Sequence, residues 1–119
     1  NHIDYAGGIT QAVNKAFEYV RSNNFHLKIE VETRNLNDVE EVCTNCIGKI
    51  DRIMLDNFTP EQITAALKII DQRIETEASG GINLDTILDY AATGVDYISV
   101  GGLIHQAKSL DLSLKALIV

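Results

Sequence analysis

The chain has no tryptophan, a single proline and a single methionine among its 119 residues. With so little proline, and with its eight glycines dispersed, no linker or low-complexity tract divides it. The length and even composition fit one compact unit. Cysteine is confined to Cys43 and Cys46. No second ligand pair accompanies this C-x-x-C, so metal or redox chemistry there is disfavoured, and reduced, packed thiols are expected. Basic residues are scarce and scattered: 10 Lys and Arg against 17 Asp and Glu, net charge −7. That balance repels nucleic acid and anionic membrane surfaces and argues against both as partners. No apolar run approaches the roughly 18–20 residues that span a bilayer. Asn1-His2-Ile3-Asp4 lacks the basic and apolar regions of a signal peptide, which with the reduced thiols gives an expected cytoplasmic location. The chain opens on Asn1 rather than Met, so a fragment or processed product is expected.

What is present is a repeat of about two dozen residues, each a short strand followed by a stretch of helical periodicity. The apolar runs predict strands at Leu27–Glu32, Arg52–Asp56, Ile74–Ser79 and Tyr97–Gly101. Leu36, Val39, Val42, Cys43, Cys46 and Ile47 form the first intervening helical stripe. Ile63, Ala66, Leu67 and Ile70 form the second, and Leu84, Ile87, Leu88 and Ala91 the third. A leading helix is expected over Tyr5–Arg21. Thr59-Pro60-Glu61-Gln62 is a capping box with proline at the first helical position. Asn35 and Asn83 stand where caps are needed.

Strand–helix alternation implies parallel strands joined by right-handed crossovers. An open doubly wound sheet and a barrel are both compatible with that. Strands between two helix layers are apolar on both faces, whereas these alternate. Ile29 and Val31 oppose Lys28, Glu30 and Glu32; Ile53 and Leu55 oppose Arg52, Met54 and Asp56; Ile98 and Val100 oppose Tyr97, Ser99 and Gly101. One polar face suits the interior of a barrel that receives a charged ligand, with Lys28 and Arg52 offsetting some of the carboxylates. A whole (β/α)8 barrel takes about 250 residues. The expected fold class is therefore α/β: repeated βα units with parallel strands, about half of a TIM-like, incomplete barrel.

Chemistry is expected where the strands end. Glu32 and Asp56 close adjacent strands on the polar face, where two carboxylates can hold Mg²⁺ or accept from sugar hydroxyls. Ser79, Gly80 and Gly81, and the Gly101-Gly102 pair, follow the last two strands, each expected before a helix. Glycine there admits an anion to the backbone amides, so phosphate binding is expected. His105 follows the second glycine pair and is a weaker ligand candidate, and His26 reads as a surface residue. Tyr5, Phe17, Tyr19 and Tyr90 recur at helical spacing and read as packing.

At these motifs the chain resembles the nicotinate-nucleotide pyrophosphorylases, or quinolinate phosphoribosyltransferases. The matching stretches are Asn1-His2, Ile29-Glu30-Val31-Glu32 followed by Asn35-Leu36, Leu55-Asp56-Asn57, and Glu77-Ala78-Ser79-Gly80-Gly81-Ile82. Thr93-Gly94-Val95-Asp96, Ile98-Ser99-Val100-Gly101 and Leu110-Asp111-Leu112-Ser113-Leu114 continue them in order. The resemblance implies transfer of phosphoribose from phosphoribosyl pyrophosphate to quinolinate, with decarboxylation, giving nicotinate mononucleotide, CO₂ and pyrophosphate in de novo NAD synthesis. It implies Glu32 and Asp56 as catalytic, donor-holding and Mg²⁺-binding acids, and Ser79, Gly80, Gly81 and Gly101 at the 5′-phosphate. It further implies that residues 1–119 are the C-terminal portion of the barrel-like domain, that an N-terminal α/β sandwich lies outside this chain, and that the full-length protein is a homodimer. The family's Arg, Lys and His residues for quinolinate precede the Asn-His match and are not in this chain. Two other readings fit the residues alone: a phosphate-binding half-barrel without activity, and a different sugar-phosphate barrel enzyme.

Overall fold

The computed structural model describes residues 8–24 and 26–110. The first residues of the expected leading helix, with His2 and Tyr5, and the Leu110–Leu114 motif beyond Leu110 lie outside them. Along the chain run α1 (Ile9–Ser22), β1 (Glu30–Thr33), α2 (Leu36–Asn45), a 3₁₀ turn (Ile47–Lys49), β2 (Arg52–Asp56), α3 (Pro60–Ile70), β3 (Glu75–Ser79), α4 (Ile87–Ala91), β4 (Tyr97–Val100) and β5 (Leu103–Gln106).

The helix starts follow from their caps. The Asn35 side chain accepts the Asp38 amide at 2.8 Å. Thr59 and Gln62 complete a reciprocal capping box ahead of Pro60. Asn83 accepts the amides of Asp85 and Thr86, organising the turn from which α4 begins.

The sheet order is β1-β2-β3-β4-β5. The first four strands are parallel and stand in chain order. Right-handed crossovers between successive neighbours place every helix on the same side. That is barrel winding; a doubly wound sheet reverses direction and covers both faces. The helix-side face carries the core: Val31, Ile53, Leu55, Ala78 and Ile98 pack with Val39, Val42, Ile63, Ala66 and Ile70, all buried. Burying each large aliphatic among these contributes about 1.5–3 kcal/mol.

Four expectations are corrected by the backbone. β1 starts at Glu30, not Leu27, because Ile29 is taken up by Asp51 and Arg52: its amide donates to the Asp51 carboxylate and its carbonyl accepts both following amides. Lys28 therefore precedes the strand, exposed, and balances no carboxylate of the sheet. Leu84 is 82% exposed in the turn before α4 rather than on its apolar stripe. Finally, Gly101-Gly102 does not lead into a helix. Both residues have positive φ, 58° and 82°, and connect Val100 to Leu103 in a two-residue hairpin whose twist suits antiparallel strands. The result is β5, antiparallel to β4.

Candidate functional site

The side of the sheet away from the helices holds two groups of polar residues, one at each end of the strands. Nearer the strand starts, Glu30, Arg52 and Glu75 are in register across β1, β2 and β3. The Arg52 guanidinium reaches Glu77 at 3.3 Å and Glu75 at 3.6 Å. It also lies 3.9 Å from the centre of the Tyr97 ring, and the Tyr97 hydroxyl donates to Glu75 at 3.2 Å. Glu77 is 1% exposed, so its burial depends on this pairing. Partial loss of hydration, then the adjoining Glu77 carboxyl, push the Glu30 carboxyl up to about 7 against the pull of Arg52.

At the strand ends the arrangement differs. Asp56 is the last residue of β2 and is in register with Ser79, the last of β3. The Ser79 hydroxyl donates to Asp56 Oδ1 at 3.2 Å, and the Asn57 carboxamide nitrogen donates to Asp56 Oδ2 at 3.4 Å. Glu32, opposite Met54 on β1, is diagonal to Asp56. Its carboxyl is raised above the usual range by a hydrogen bond with Asp56, then by burial and by the Asp56 charge, with Arg34 pulling the other way. Among the described residues both ion pairs fall on Arg52, which is committed to the other end. Glu32 and Asp56 thus meet where the side-chain donors among the described residues, Ser79 and Asn57, are neutral.

The structure therefore brings Glu32, Asp56 and Ser79 together. Gly80 adjoins them, with φ +91° and the Asn57 side chain against it. Gly81 has open space beside it, as does Gly101, but Gly101 lies in the β4–β5 hairpin, without the helix that its expected phosphate role invoked. His105 is opposite Ile98, hence on the helix-side face and away from Glu32 and Asp56. Cys46 is buried and Cys43 partly so, both free, and burial raises both thiols, which suits packing. His26 is exposed, and Tyr90 packs, donating to the Phe58 carbonyl at 2.9 Å.

Two residues were given no role by sequence reasoning. Glu77 has the same parity as Ser79, so the alternation itself placed it on the polar face. Asn57 stands beside Asp56 within a quoted motif, but nothing in spacing reveals its backbone, φ +59°.

A cleft of about 760 Å³ opens at the other end of β3, lined by Lys68, Arg73, Glu75 and Asp96 among others. Three of its charged groups are already engaged: Arg73 donates to the Ile69 and Ile70 carbonyls, Asp96 accepts from Thr76, and Glu75 is bound by Arg52 and Tyr97. It competes poorly with the strand ends as a site. No described helix is long and apolar enough to cross a membrane.

The chain is similar in sequence and in fold to known proteins. Residues 1–115 match the family model described as the C-terminal domain of quinolinate phosphoribosyl transferase. A probable nicotinate-nucleotide pyrophosphorylase of Methanocaldococcus jannaschii is 46% identical over 96% of this chain and 40% of its own length. The chloroplastic nicotinate-nucleotide pyrophosphorylase of Arabidopsis thaliana is 41% identical over 97% of this chain and 36% of its own. The solved structure of the Francisella tularensis nicotinate-nucleotide pyrophosphorylase superposes with a TM-score of 0.73 at 39% identity, covering 89% of this chain and 36% of that one. The chain thus spans well under half the length of these relatives.

Proposed function

The chain belongs to the quinolinate phosphoribosyltransferase family, and on that premise we propose that it is the C-terminal portion of an enzyme of de novo NAD synthesis. The reaction is transfer of phosphoribose from phosphoribosyl pyrophosphate to the ring nitrogen of quinolinate, with loss of CO₂ and release of pyrophosphate and nicotinate mononucleotide. The observation that carries this reading is the Glu32–Asp56–Ser79 group at three adjacent strand ends, on the sheet face that the helices leave open.

The chemistry asks for such a group. As the bond to pyrophosphate breaks, positive charge develops at the anomeric carbon. Asp56 and Glu32, held in place and not neutralised by Arg52, favour that charge. The ribose hydroxyls have the same carboxylates as acceptors. Ser79, Gly80 and Gly81, with Gly101, are proposed at the 5′-phosphate, where the open space beside Gly81 and Gly101 leaves their amides approachable.

The residues also fit Mg²⁺. Among the described residues no three or more His, Cys, Asp or Glu side chains gather as a metal cage. Mg²⁺, however, is commonly held by one or two carboxylates together with substrate phosphates. The adjoining Asp56 carboxyl raises the cost of ionising Glu32, a tension that a divalent cation relieves. When bound, Mg²⁺ supplies charge neutralisation for the departing pyrophosphate.

The quinolinate-binding cations and an N-terminal sandwich domain are proposed to lie in the rest of the protein, with a homodimer completing the site. A cytoplasmic location is proposed on the two free thiols. The test is turnover by the full-length protein supplied with quinolinate, phosphoribosyl pyrophosphate and Mg²⁺. Nicotinate mononucleotide and CO₂ in equal amounts are expected. The 119-residue chain alone is expected to form neither, and turnover by it would overturn the placement of the quinolinate pocket.

A further inference from the structure

Asn57 has features that neither the turn nor the core requires. Its φ of +59° is a left-handed conformation, uncommon outside glycine but accessible to asparagine. Its amide donates to the Ser79 carbonyl at 2.9 Å, extending the β2–β3 ladder one step past the Asp56–Ser79 pair. That bond swings its carboxamide back over two neighbours. On one side it donates to Asp56 Oδ2. On the other it lies flush against Gly80, where a Cβ would come within 2.9 Å of both Asn57 Cγ and the Asn57 amide nitrogen. Gly81, by contrast, faces open space. The two glycines therefore do different things: Gly81 leaves room outside, and Gly80 leaves room for Asn57.

We propose that Asn57, seated on Gly80, is a positioning residue that fixes the orientation of the Asp56 carboxylate. Ser79 holds one oxygen and Asn57 the other, while the bond shared with Glu32 ties Asp56 to the neighbouring strand. Both donors are neutral, so the carboxylate is oriented without being neutralised. The inference rests on the proposed function for its kinetic consequence, but not for its geometry.

Two measurements on the full-length protein test it, one of them independent of activity. Selective ¹⁵N labelling of asparagine follows the Asn57 side-chain amide. It is expected to shift in Asp56→Ala, which removes its acceptor, and in Gly80→Ala to move to the position of a solvated carboxamide. An Asn57 resonance indifferent to both changes overturns the inference even if the enzyme is active. For the kinetics, Asn57→Gly keeps the left-handed backbone and removes the carboxamide. It is expected to lower kcat roughly 10- to 100-fold, the scale of a small misplacement of a reacting group. The KM for quinolinate and the midpoint of thermal unfolding should hardly change. Gly80→Ala is expected to lower kcat similarly, and Gly80→Ala combined with Asn57→Gly to lower it little further than either change alone. Asn57→Gly with normal kcat, or losses that multiply in the double variant, would overturn the inference. If the wild-type protein transfers no phosphoribose, the functional reading fails and the labelling result alone decides the positioning role.

Discussion

The two ends of the open sheet face are built from the same materials and reach opposite electrostatic outcomes. At the strand starts, Arg52 lies among Glu30, Glu75 and Glu77, bonding the last two and stacking on Tyr97. At the strand ends, Glu32 and Asp56 meet with the Ser79 hydroxyl and the Asn57 carboxamide as their side-chain donors among the described residues. Burial of Glu77 stabilises nothing by itself; it is tolerated because a cation is attached to it. Among the described residues the strand-end pair makes no ion pair like that of Arg52, Arg34 acting on Glu32 only through its charge. Under the proposed function, the first group serves folding and the second chemistry.

Mutation at either end separates these assignments. The largest effect is expected from Asp56→Ala in the full-length enzyme: turnover lower by about 10²–10³, the range for loss of one transition-state charge contact. Its thermal midpoint should be nearly unchanged, measured on the same samples; a stability loss with normal turnover per folded molecule would move Asp56 into the folding group. Glu32→Gln is expected to follow Asp56→Ala in direction, with a smaller loss.

Arg52→Met should do the reverse. It leaves Glu77 buried without its cation, a change that costs about 3 kcal/mol. Chemical denaturation would report that loss. Turnover per folded molecule should remain close to normal, and a collapse of turnover with intact stability would contradict the division.

The smallest effect concerns Glu30. Its carboxyl in the folded protein titrates at about 7, against 4.5 as the ordinary value. The folded state therefore binds this proton more tightly than the unfolded state. Stability from this group is present at low pH, declines as pH rises from 4.5 towards 7, and is lost above that window. Glu30→Gln should flatten that part of the pH–stability profile. An unchanged slope would mean that another group titrates there.

Much of this division could be read in the sequence, and the part that could not has identifiable causes. Period-two alternation put Glu32, Arg52 and Asp56 on one face, because that parity belongs to any strand regardless of its neighbours. Thr59 and Asn35 were readable because a cap bonds within three residues. The β1 boundary was not, since it depends on Asp51, twenty-two residues from the Ile29 amide that it captures. Lys28 was expected inside as a result, and Arg52 carries the pairing without it. Gly101-Gly102 was ambiguous because positive φ serves a ligand loop and a tight hairpin equally. With β5 in place, His105 turns to the helix side. Asn57 was invisible as an actor because its role depends on meeting Gly80, across the strand pair.

The most direct measurement of the central claim is ligand-induced thermal stabilisation of the full-length protein by phosphoribosyl pyrophosphate with Mg²⁺. It should be compared among wild type, Arg52→Met and Asp56→Asn. Binding to the folded state adds RT ln(1 + [L]/Kd) to stability, so the unfolding midpoint rises with ligand concentration and affinity. Wild type and Arg52→Met should both be stabilised, the latter from a lower baseline, while Asp56→Asn should gain little or nothing. A full ligand-induced rise in Asp56→Asn, with none in Arg52→Met, would place the binding chemistry at the Arg52 end and contradict the account.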